Sequence, residues 1–173
     1  MGAVCGIEKQ RTASMTALIP DWTEVAAFFE PDGRLRDLYV LDAGPDGWQA
    51  VIDGLRALDP PAVFEIDGEP GLMPDRIEDV FAVWKRASPS LRWHAGNVVI
   101  NLHFFRSDDI EFDIDPSDVC EPEDWQALGR FMLWLAGRAQ RPVILTPENK
   151  PDDILLFCRG AGAAIEVNLT TED

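Results

Sequence analysis

Three short runs between Leu91 and Asp115 alternate apolar and polar side chains, and this alternation limits the fold more than any other feature of the chain. Successive side chains of a strand point to opposite faces, so such runs want one face buried and the other wet. Leu91-Arg92-Trp93-His94 and Val98 to Phe105 flank Gly96-Asn97, the residue pair of a two-residue hairpin turn. A third strand, Ile110 to Asp115, returns after the polar turn near Arg106 to Asp109. A slip of one residue would bury the acids, so Leu91, Trp93, Ile100, Leu102, Phe104, Phe112 and Ile114 are expected on the buried face. Trp93 then pairs with Ile100, and Phe104 with Phe112 or with Ile110, which has equal parity.

The opposite face collects Arg92, His94, Asn101, His103, Glu111, Asp113 and Asp115, including both histidines of the chain. His103 falls across from Asp113 in one register and from Glu111 in the other. A carboxylate orients a histidine and raises its pKa, which makes His103, Asp113 and Glu111 candidates for acid/base work. Histidines with two acids are also a donor set for zinc or another divalent ion. The plain alternative is a solvated face with opposite charges paired across strands, each pair worth a few tenths of a kcal/mol to ~1 kcal/mol. No Ser or Cys nucleophile, HExxH motif or paired-His spacing accompanies the set. Arg92, His94, Asn101 and Asp115 are read as binding residues around it. The metal question stays open, and no cofactor is expected.

Nine carboxylates and no base lie between Asp108 and Asp124. Those from Asp118 to Asp124 lead into a second pattern, an internal repeat. Pro45-Asp46-Gly47-Trp48-Gln49-Ala50-Val51 recurs 77 residues later as Pro122-Glu123-Asp124-Trp125-Gln126-Ala127-Leu128. Proline suits the start of a helix, where its missing N–H would have been unpaired, and the acids complement the positive end of the helix dipole. Trp48, Val51, Ile52, Leu55 and Leu58 share one helical face, as do Trp125, Leu128, Phe131, Met132 and Leu135. Both tryptophans are expected as core anchors. Each copy follows an alternating strand (Leu38 to Leu41; Ile110 to Ile114) and precedes a β-rich run (Ala62 to Ile66; Pro142 to Thr146). The expectation is a single α+β domain over 15–173 with a mixed or largely antiparallel sheet and two strand-helix-strand pseudo-repeat halves, 36–85 and 108–168. Residues 1–14 read as a tail, with Met15 a natural start.

Pro20 to Phe29 and Pro74 to Lys85 read as short helices, the second with Ile77, Val80, Phe81 and Trp84 inward. Asp67 to Met73 and Pro147 to Asp153 read as turns or loops. Ile154 to Cys158 and Ala164 to Asn168 form a closing hairpin around Arg159-Gly160-Ala161-Gly162-Ala163. That lone GxG lies between strands rather than between a strand and a helix, so it reads as a turn rather than a phosphate cradle.

A formal charge of -16 disfavours binding to a nucleic-acid backbone or to anionic lipid and leaves a basic protein or a cation as charge-complementary partners. Net charge also serves plain solubility. Cys5, Cys120 and Cys158 are odd in number and lack metal-type spacing, which fits a reduced, cytoplasmic compartment. No run is long and apolar enough to span a membrane. Oligomeric state is not legible, an exposed strand edge being one route to a homo-oligomer.

The span from Asp21 to Asn149 resembles a group of uncharacterised bacterial proteins. Three runs carry the likeness: Pro31-Asp32-Gly33-Arg34-Leu35-Arg36-Asp37-Leu38-Tyr39-Val40, Ile110-Glu111-Phe112-Asp113-Ile114-Asp115-Pro116 and Leu145-Thr146-Pro147-Glu148-Asn149. The resemblance implies a bacterial origin and one shared domain, and no activity. The small size, α+β pattern and acidity are similar in type to bacterial immunity proteins, which neutralise a toxin by binding it. Two functions follow as expectations: an acidic, non-enzymatic protein docking a basic partner, or a small hydrolase or metal-binding protein using His103, Asp113 and Glu111.

Overall fold

The computed structural model describes residues 18–169. The tail and Cys5 therefore lie outside the described residues. Nine strands form one antiparallel sheet among them: β1 (Arg36–Val40), β2 (Val63–Ile66), β3 (Glu69–Pro70), β4 (Pro89–Ala95), β5 (Val98–His103), β6 (Ile110–Ile114), β7 (Val143–Pro147), β8 (Leu156–Cys158) and β9 (Ile165–Val167). Their spatial order is β3-β2-β4-β5-β6-β1-β7-β8-β9. Four α-helices accompany them: α1 (Trp22–Val25), α2 (Gly44–Arg56), α3 (Ile77–Trp84) and α4 (Pro122–Ala139). The fold is α+β, as the alternation and the helical repeats require.

The β4–β5–β6 register follows from which residues cannot be exposed. Trp93 pairs with Ile100 and Leu102 with Phe112, so the apolar residues of all three strands share one face. His103 pairs with Glu111, the register in which Phe104 is aligned with Ile110. Gly96 closes the hairpin at φ 60°, the positive value that the first position of this tight turn demands. Leu91, Ile100, Leu102, Phe112 and Ile114 are all buried. Fully burying a side chain such as Phe112 contributes about 1.5–3 kcal/mol, which is the force that resists a register slip.

Both repeated helices lay their tryptophan into this core. Trp48 of α2 stacks on Phe104 at 5.3 Å between ring centroids and meets Phe81 edge-on at 5.4 Å. Trp125 of α4 packs on Phe29 at 5.7 Å and donates its indole N–H to Pro20 O at 2.7 Å. Phe131, one turn and a half further on, meets Phe112 of the sheet. Both copies are strand-helix-strand units, but they are wired differently. β6 and β7 flank β1 and are both antiparallel to it, so α4 crosses over one intervening strand. From β1 to β2, α2 crosses over three, β6, β5 and β4.

Some local expectations change. Residues Pro20 to Phe29 split into α1 and a 3-10 turn, Ala26–Phe29, because the buried guanidinium of Arg36 takes the carbonyls of Phe28 (2.7 Å) and Glu30 (3.2 Å). α3 starts only at Ile77, and Trp84 at its last position is 47% exposed rather than inward. α2 ends at Arg56, which leaves Leu58 in the following loop, partly buried against the core. Within the stretch expected as a turn, Glu69 and Pro70 pair with β2. The sheet's edge strands, β3 and β9, have two and three residues, and Pro70 removes a donor from one of them. Short, proline-bearing edges resist edge-to-edge pairing. Among the described residues no helix is long and apolar enough to cross a membrane.

Candidate functional site

The helices pack against one face of the sheet, where Phe104, Phe112 and Trp93 meet Trp48, Phe81 and Phe131. The other face carries the second residue of each strand pair. In one row across the sheet stand Glu65, Ser90, His103, Glu111, Tyr39 and Ile144. In the next stand Val63, Arg92, Asn101, Asp113, Asp37 and Thr146. Asp37 and Tyr39 come from β1, which enters between β6 and β7 and completes the site from a distant part of the chain. They were not among the residues singled out from sequence. The alternation Asp37-Leu38-Tyr39-Val40 was visible, but nothing local says which strand lies beside it.

A hydrogen-bonded chain runs across these strands. Arg92 pairs with Glu65 at 3.3 Å and donates from Nε to Asn101 Oδ1 at 3.4 Å. Asn101 donates to Asp113 Oδ1 at 3.0 Å, and the other oxygen of Asp113 holds Nε2 of His103. The His103 ring stacks on Phe105, 4.9 Å between centroids and 5° from parallel. The hydrogen bond to Asp113 raises the pKa of His103 against the lowering effect of burial, and the charges of Asp113, Glu111 and Asp37 add to the rise.

Asp37 and Asp113 are Cα partners across the β1–β6 ladder. Like charges directly opposite destabilise a sheet. Asp37 is buried, and Oδ2 accepts from the Tyr39 hydroxyl at 2.9 Å and from the Asn149 N–H at 2.7 Å. Burial nonetheless pushes its pKa up, with Asp113 and Glu148 adding to the rise. Glu111 is half-buried, and no hydrogen bond or ion pair reaches its carboxylate among the described residues. Burial and then the charge of Asp37 push its pKa up as well. Tyr39 is shifted upward by burial and by its bond to Asp37, so its phenol stays protonated.

Other expected site residues stand apart. His94 shares the face but is exposed and pairs with Val99, four residues along β4 from the Ser90–His103 pair. That is about 13 Å, too far for the two histidines to share an ion. Asp115 lies beyond the end of β6 and caps a 3-10 turn, Pro116–Asp118, accepting from Ser117 N at 2.9 Å and Ser117 Oγ at 2.6 Å. Ser117 holds its pKa down. Among the described residues no group of three or more His, Cys, Asp or Glu side chains is arranged to hold a metal ion. The acids after the strand have structural uses: Asp118 accepts from Val99 N, and Asp124 accepts from Asn97 and from the N–H groups of Cys120 and Glu121 at the start of α4. Cys120 and Cys158 are both free thiols.

His103 also lines a cleft of about 460 Å³ with Asp67, Trp84, Ser88, Ser90 and Phe105. With Nε2 held by Asp113, Nδ1 is left for a ligand. Such a pair can donate or accept a proton at a bound molecule. No family model matches the chain, and no curated protein or solved structure matches it.

Proposed function

We propose that this protein binds a basic protein partner through the helix-free face of its sheet. The observation that carries the reading is the half-buried Glu111, unpartnered among the described residues, beside the facing carboxylates Asp37 and Asp113. Like charges facing each other across a ladder cost stability, and a positive group supplied by a partner would offset that cost. The strands contribute five carboxylates to that face (Asp37, Glu65, Glu111, Asp113 and Glu166), of which Glu65 pairs with Arg92 and Glu166 with Arg159. Complementary charge would speed association and exclude wrong partners. The small size, α+β pattern and acidity favour an immunity-type form of this reading, the resemblance to uncharacterised bacterial proteins a bacterial origin, and the odd, widely spaced cysteines a cytoplasmic setting.

The test is capture from native lysate followed by binding at rising salt. A basic partner released by salt, and lost by the Glu111→Gln/Asp113→Asn variant, is the expected result. A partner indifferent to salt and to both substitutions would count against it.

One observation favours a second reading. His103, held by Asp113, opens on the 460 Å³ cleft beside two serines, the setting of an acid/base catalyst or a ligand site. Metal analysis together with His103→Ala tests it: a metal-free chain whose properties all survive that substitution rejects it.

A further inference from the structure

On the opposite side of the sheet, a second pocket of about 310 Å³ opens between α4, the β4–β5 hairpin and the loop after α2. Ala127, Arg130, Phe131 and Trp134 lie at i, i+3, i+4 and i+7 of α4 and so share one helix face. Such a stripe normally disappears into a core. Here only Phe131 does so, while Ala127 and Trp134 stay half-buried and Arg130 stays exposed. The small residues Ala95, Gly96 and Ala127 leave the space, and Trp93, Phe131 and Trp134 wall it.

The walls are held in place before any ligand arrives. Trp93, Phe131 and Trp134 form a stacked series, 5.7 Å and then 5.4 Å between centroids with interplanar angles of 28° and 25°. The Trp93 N–H is taken by Pro60 O at 3.0 Å, which leaves its ring for apolar contact. Trp134 lies over Gly54 of α2, where a Cβ would come within 2.8 Å of the indole, and Arg138 covers its ring at 5.9 Å. Fixed aromatic planes lower the ordering cost of binding a flat molecule. The one charged group lining the pocket is Arg130, whose guanidinium has no ion-pair partner among the described residues, although the chain carries an excess of carboxylates.

We propose that this pocket binds a small, flat aromatic carboxylate, with the ring system against Trp93, Phe131 and Trp134 and the acid group on Arg130. Its volume sits at the small end of the ligand-site range of about 300–1,000 Å³, which suits a bicyclic aromatic acid rather than a long-chain one. The site is independent of the acidic face and of the partner proposed for it.

The experiment titrates the full chain with naphthoate and, as the neutral control, naphthyl methanol, reading tryptophan fluorescence and equilibrium dialysis. The expected result is saturable binding with naphthoate preferred. Arg130→Gln should raise the Kd for naphthoate about fivefold and that for the alcohol by less than about twofold, as an exposed ion pair would. Ala127→Leu, which fills the pocket, should abolish binding of both, with the fold checked by thermal melting. The exposed Arg130 position tolerates substitution, so that arm decides even if Ala127→Leu fails to fold. No saturable binding to the unaltered chain, an unchanged acid-to-alcohol preference in Arg130→Gln, or full binding by a folded Ala127→Leu would each overturn the proposal.

Discussion

Asp37→Asn keeps the shape of a buried side chain and removes its charge. A single oxygen, Oδ2, accepts both from the Tyr39 hydroxyl and from the Asn149 N–H, so the amide oxygen of asparagine can take over both bonds. What disappears is the negative charge opposite Asp113. Like charges facing each other across a ladder cost a few tenths of a kcal/mol to ~1 kcal/mol, and burial of the carboxylate adds to that. The new NH₂ group presents no negative charge to Asp113, the residue facing it across the ladder. The net expectation is a gain of about 1 kcal/mol at pH 7, or about 2–4 °C in Tm for a chain of this length. Because the pKa of Asp37 is raised, the native side chain is neutralised as pH falls towards the ordinary carboxylate range. The gain should therefore shrink between pH 7 and about pH 4. Urea and thermal unfolding at both pH values measure it. A variant less stable at pH 7, or a gain that does not change with pH, would refute the reasoning. A stabilised variant that also loses its partner would show a charge kept for function at the expense of stability.

The pH profile of the unaltered protein should lean to the acid side. His103, Asp37 and Glu111 all have pKa values raised by folding, so their contribution is complete below the unfolded values and drains as pH climbs through the folded ones. The exposed carboxylates of Asp32, Glu78, Asp108 and Asp115 are shifted down and lose their contribution as pH falls below the ordinary range. Maximum stability is expected between about pH 4 and 6.5, and His103→Gln should flatten the decline above it, as urea titrations across pH would show. The two repeated tryptophans should respond differently to phenylalanine. Trp125→Phe strands Pro20 O, whereas the Trp48 N–H is buried with no partner among the described residues, so Trp125→Phe should cost about 1–2 kcal/mol more than Trp48→Phe in denaturant unfolding. Asp124→Ala removes the acceptor of two N–H groups at the start of α4 and of Asn97, and should cost about 1–3 kcal/mol by the same assay.

The hairpin, its register class and the burial of Trp48 and Trp125 were legible because local periodicity decides them. Parity alone put His103, Glu111 and Asp113 on one face, since the alternative buries acids. Two registers of equal parity remained, and the one that pairs Leu102 with Phe112 is formed. The part of the site that escaped was Asp37 and Tyr39. Strand β1 pairs with β6, seventy or more residues away, and with β7, still further along. No local pattern encodes such a partner. Asp115 shows the opposite limit: its parity fitted the face, but Pro116 ends the strand and turns its carboxylate to Ser117. Trp84 fitted a helical face yet lies on the last turn of a short helix, beyond the core that Ile77 and Val80 reach.

The most direct test of the basic-partner reading is a paired capture from native lysate with the unaltered chain and with Glu111→Gln/Asp113→Asn, each eluted by a salt gradient. The expected result is a basic protein held by the unaltered chain, released as salt rises, and absent from the variant although the variant remains folded. Equal capture by both chains, or elution that ignores salt, would contradict it.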